Sequence, residues 1–146
     1  MKNHTKKILD YLSYSILIIS AVYLLYTRIN GDILLQVRHI AGLVLLALPF
    51  VAFFYSHKLG VLATGLLLLL GLFGVISYSP AISTMTVGKT LEGDEGITLL
   101  YFQPIFLLWL LLHFILSGRY YVGVLSEKYW KNIKSDEPFK IGVDTL

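Results

Sequence analysis

Cysteine is absent from the 146 residues. Disulfides, thiol redox chemistry, Cys-bound zinc and thiolate catalysis are therefore excluded. Charge is scarce too: Asp, Glu, Lys and Arg make up 14% of the chain, against about 25% in ordinary soluble domains. Where charge is missing matters more than how much. Four long apolar stretches between Ile8 and Ser117 carry no Lys, Arg, Glu or Asp beyond their first few residues. Coupled antiport usually needs a carboxylate deep in the membrane, so the scarcity of buried acids demotes that class.

What is present is apolar. Hydrophobic residues make up 56% of the chain. An uncharged run of about 18 or more residues can cross a bilayer as a helix. The expected fold class is an all-α membrane protein: a four-transmembrane-helix bundle with a short C-terminal amphipathic cytoplasmic helix. The spans are placed at about residues 8–26, 40–55, 59–79 and 97–117, within a transmembrane domain of residues 1–117. Residues 118–146 form the cytoplasmic tail. Only Ser56, His57 and Lys58 separate spans two and three, which predicts a tight antiparallel hairpin. Span one has a basic start but no small-x-small cleavage site, so it is read as a retained helix and not a signal peptide.

Lys and Arg placement sets the orientation. With both termini in the cytoplasm, the inner segments hold Lys2, Lys6, Lys7, Lys58, Arg119, Lys128, Lys131, Lys134 and Lys140. The outer loops hold only Arg28, Arg38 and Lys89. The expected location is an integral membrane protein, placed in a bacterial inner membrane by its Lys/Ile/Tyr-rich composition. The net charge of +3 is read as topology, not as a nucleic-acid surface.

Helices in lipid associate through small residues and polar side chains. In span three Gly60, Ala63, Thr64, Gly71 and Gly74 fall on one helical face, with Tyr78. That face is expected to pack against another helix, and Leu66, Leu68 and Leu69 to face lipid. Pro49 and Pro104 are expected to kink spans two and four, with the Gln103 amide serving carbonyls freed by the second kink. Ser13, Ser20 and Thr27 lie close to one face of span one.

Few residues can carry chemistry. Asp10 lies one turn into span one, and His113 about one turn from the inner end of span four, near Arg119. With His57 these are the candidate inner-side groups for interfacial chemistry, which requires Asp10, His113 and Arg119 to converge. Glu92, Asp94 and Glu95 form an acidic cluster in the outer loop, able to meet a cation or a basic partner. The same loop holds Val87-Gly88-Lys89-Thr90, but a P-loop needs glycine five positions before its Gly-Lys, and Ser83 stands there. The four histidines are scattered over both ends, which argues against a metal site. No cofactor motif is present. From Tyr120 to Lys134, Val122, Leu125, Tyr129 and Ile133 recur at helical spacing beside Lys128, Lys131 and Lys134, predicting an amphipathic helix on the leaflet.

The expected function is non-enzymatic: a small polytopic membrane protein that acts by binding a protein partner, in an accessory, assembly or immunity-type role. The lipid bilayer and a membrane-protein partner or a second copy of the chain are the expected partners. An oligomeric channel and a membrane-interface lipid enzyme are the alternatives.

Overall fold

Several helix boundaries fall where proline, glycine or an extended residue interrupts the apolar runs. The computed structural model describes residues 3–31, 34–79, 85–89, 97–122 and 124–134. Helices α1 (Asn3–Asp10) and α2 (Leu12–Ile29) join through Tyr11, giving an apolar helix of 23 residues, Lys7–Ile29. Helices α3 (Val37–Leu45) and α4 (Ala47–Tyr55) follow. Pro49 has no N–H to give the Leu45 carbonyl, which accounts for the break at Leu46. Together they form a second apolar helix, Val37–Tyr55, of 19 residues. These two helices are long and apolar enough to cross a membrane.

Ser56 is extended (φ −162°, ψ 138°), and α5 (His57–Leu72) starts at the next residue. The expected third span to residue 79 is too long. Gly74 adopts φ +71°, a left-handed conformation that ends the helix at glycine without a Cβ clash. Residues 73–79 instead run beside α3. There the Ser77 amide donates to the Arg38 carbonyl (3.2 Å) and the Tyr78 hydroxyl donates to the Gly42 carbonyl (2.7 Å).

The chain is predominantly helical, as expected, but the fourth apolar run is divided. Strands β1 (Met85–Lys89) and β2 (Ile97–Phe102) pair antiparallel, with a register shift between Val87 and Gly88. Helix α6 begins only at Pro104 and runs to Ser117. Pro104 therefore opens this helix instead of kinking it, since the first turn has no use for its missing N–H. Gln103 precedes it fully buried, its amide donating to the Ile76 carbonyl (3.1 Å).

Leu17 and Ala21 of α2, Leu67 and Leu68 of α5, Phe106 and Leu110 of α6, and Ile76 and Tyr78 form the core. Leu68 is thus interior, not lipid-facing, whereas Leu66 and Leu69 are exposed. Of the small residues, Gly60 lies under the Phe53 ring and Gly71 under the Phe106 ring, each so close that a methyl would overlap it. Ala63 and Thr64 are buried, and Gly74 lies beyond the helix end.

The region after α6 departs most from expectation. A 3₁₀ turn (Gly118–Tyr120) leads through further turns to α7, only five residues long (Glu127–Lys131). No helix runs continuously from Tyr120 to Lys134. Tyr129, expected on a membrane-facing stripe, is fully buried against the bundle.

Candidate functional site

Asp10 ends α1 with its carboxylate wholly buried. Ionised carboxylates accept hydrogen bonds at both oxygens, and this one uses both. Oδ1 accepts from the Ser117 hydroxyl at 2.9 Å. Oδ2 accepts from the Arg119 guanidinium at 2.5 Å and meets His57 Nε2 at 3.1 Å. The far ring nitrogen, His57 Nδ1, faces the Tyr11 hydroxyl at 3.3 Å. One carboxylate thereby ties the end of α1 to the start of α5 and the end of α6. Helix periodicity helps, because Ser117 ends α6 and Arg119 follows within the next tight turn.

Sequence reasoning singled out Asp10, Arg119 and His113 together. The structure brings the first two into contact and gives His113 another partner. His113 Nε2 is 2.8 Å from the Tyr121 hydroxyl, which itself donates to the Val61 carbonyl at 3.2 Å. His113 Nδ1 and Ser13 Oγ have no hydrogen-bond partner among the described residues. Gly65 leaves room for this arrangement, since a Cβ there would collide with the Tyr121 oxygen. The sequence reading does not single out Ser117 or Gly65, and it places Tyr121 only in the amphipathic tail. Each is an ordinary residue whose role depends on a distant partner. Ser20 and Thr27 donate to carbonyls of their own helix, as hydroxyls in helices commonly do.

The turn that carries His57 also holds the tail. The Ser56 hydroxyl donates to the Ile133 carbonyl, and Lys58 Nζ donates to the Asn132 carbonyl at 3.1 Å. Lys58 is buried and its ammonium lies 5.5 Å from the centre of the Tyr129 ring. A cation suits the carbonyl end of α7. The Tyr129 hydroxyl donates to the Tyr120 carbonyl at 2.5 Å. Burial raises the phenol of Tyr129 above its ordinary range, and that of Tyr121 likewise.

Space for a ligand lies elsewhere. A groove of about 280 Å³, lined by Ile19, Tyr23, Tyr78, Ile105, Phe106 and Trp109 among others, has no ionisable lining group except tyrosine. His39 sits on Ser79, its Nδ1 accepting from the Gln36 amide (3.1 Å) and its Nε2 donating to the Ser79 carbonyl (3.1 Å), far from the His57 cluster in the fold. Among the described residues no three His, Asp or Glu side chains gather to hold a metal. Glu92, Asp94 and Glu95 lie outside the described residues. Chemically, the Asp10 cluster can fasten helix ends together. Both carboxylate oxygens are occupied, and the groove does not reach it.

Comparison with known proteins finds no matching family model, no similar curated protein and no similar solved structure.

Proposed function

We propose that the chain is a small polytopic membrane protein, non-enzymatic, that works by binding another membrane protein through the outer face of Val37–Tyr55. In this reading α5 and α6 also cross the bilayer, α5 lengthened by residues 73–79 and α6 by strand β2 before it. Both termini lie in the cytoplasm, on the side rich in Lys and Arg.

The supporting observation is a stripe. Val37, Ile40, Val44, Ala47, Val51 and Phe54 recur at alternating spacings of three and four residues, and all six are exposed. That is the heptad spacing of a helix seam, with β-branched and small residues at most positions. Only 17% of this helix's apolar window is buried within the chain, against 33% for Lys7–Ile29. Small and β-branched side chains let a neighbouring helix approach closely in lipid, where packing rather than hydrophobicity drives association. The bundle interior is filled by its own Leu, Phe and Tyr side chains, which speaks against a pore within one copy. The Asp10 cluster acts as a clasp, not a reactive centre.

The test is gentle extraction in native nanodiscs with cysteine placed at Val44 or Val51, in a chain that has none of its own. A heteromeric complex with crosslinks from both positions is expected. A lone monomer without crosslinks would remove the reading, and a pure homo-oligomer crosslinked along the stripe would replace it with self-association.

A further inference from the structure

The tail does not form the continuous amphipathic helix its spacing suggests, and its folding changes which side chains face outward. Tyr129 turns inward. The side chains left outside are Leu125, fully exposed, and Trp130, 49% exposed. They are neighbours: the Trp130 indole N–H donates to the Val124 carbonyl at 2.7 Å, holding the ring beside the turn that carries Leu125. Val122 is exposed close by in sequence.

The cations of the same segment are exposed as well. Lys128, Lys131 and Lys134 face solvent, and Glu127 offsets one of them through its 2.7 Å pair with Lys131. Lys134 Nζ sits 5.2 Å from the centre of the Tyr55 ring. Tyr55 is the last residue of the apolar helix Val37–Tyr55, so this contact sets the tail at the level where that helix ends. Tyrosine at a span end, a lysine reaching past it and an exposed indole are the furniture of a membrane interface.

We infer that the turn and short helix of residues 124–134 form an interfacial anchor for anionic phospholipid. Leu125 and Trp130 enter the headgroup boundary while Lys128, Lys131 and Lys134 meet lipid phosphates. The inference rests on the membrane reading above. Charge complementarity selects the occupant: Lys128, Lys131 and Lys134 against the single Glu127 leave residues 124–134 with a net charge of +2 beside the apolar pair, and the leaflet they would meet is anionic. The Ser56 and Lys58 contacts hold the segment in place, so little ordering is needed when lipid is met.

The experiment uses the full chain carrying Trp109→Phe, which leaves Trp130 as the single tryptophan. It is placed in nanodiscs of equal parts phosphatidylcholine and phosphatidylglycerol, with bromine on the chains of one lipid or the other. Trp130 fluorescence should be quenched more by the brominated phosphatidylglycerol, and salt should reduce the difference. Replacing Lys128, Lys131 and Lys134 with Gln should bring the two lipids to parity, with helicity unchanged. Equal quenching by both lipids in the unsubstituted tail would overturn the selection of anionic lipid. No quenching, with the protein held in the disc, would overturn the anchor while leaving the membrane reading intact. Failure of the protein to enter discs would overturn the membrane reading and the anchor with it.

Discussion

Asp10 shows how one carboxylate can organise the end of a bundle. Removing it by Asp10→Ala leaves His57, Ser117 and Arg119 facing an empty space, and breaking a buried ion pair from one side costs about 3 kcal/mol or more. Thermal unfolding in detergent should show that loss, with Asp10→Asn milder because it keeps two hydrogen-bonding atoms. Gly65 gives a second test. Gly65→Ala should destabilise by about 1–3 kcal/mol through overpacking against Tyr121. Tyr121→Phe removes the oxygen in the way, so the double variant should lose less than the two singles combined. The sequence marks Asp10 and Arg119 as unusual because both border an uncharged run. It gives no sign that they touch across 109 positions, and a serine at the end of an apolar helix looks like any other. What a side chain is can be read locally, whereas what it meets is decided by helix packing.

At the scale of elements, the apolar runs place the helices and the interruptions were harder to read. Ile97–Phe102 and Pro104–Ser117 form one hydrophobic stretch in composition, yet its first six residues are a strand. Pro104 is the boundary, and the expectation of a kink missed that proline is equally at home at a helix start. Gly74 similarly marks the end of α5 and not part of its packing face. The tail is the element most open to experiment. Lys58→Met should free residues 124–134, seen as faster tryptic cleavage at Lys128 and Lys131. Alkali should do the same through Tyr129. A phenol whose folded pKa is raised contributes stability that is complete below its unfolded value, about pH 10. That stability is lost as pH rises towards the folded value. Release of the tail, read as a fall in Trp130 fluorescence anisotropy in the Trp109→Phe chain, should therefore set in above about pH 10, and Tyr129→Phe should remove its phenol component while weakening the clamp by about 1 kcal/mol.

For the molecule as a whole, the described residues place the Asp10 cluster at one end and an apolar stripe along one side. If the stripe of Val37–Tyr55 is a docking face, Val44→Trp should detach a partner while leaving the monomer's own melting unchanged. Loss of both together would point to the helix's internal packing instead.

The clasp also has a consequence in time. Asp10 emerges early in synthesis, and its partners Ser117 and Arg119 come 107 and 109 residues later. Lys58 and Ser56 likewise wait 74 and 77 residues for the carbonyls they hold. Until then the Asp10 carboxylate lacks Ser117 and Arg119, and the Lys58 ammonium lacks the Asn132 carbonyl. Closure of that end is therefore a late event, completed only once the segment after α6 has been made. A nascent chain arrested before Ser117 should still hold the α4–α5 hairpin but should leave Asp10 open to water.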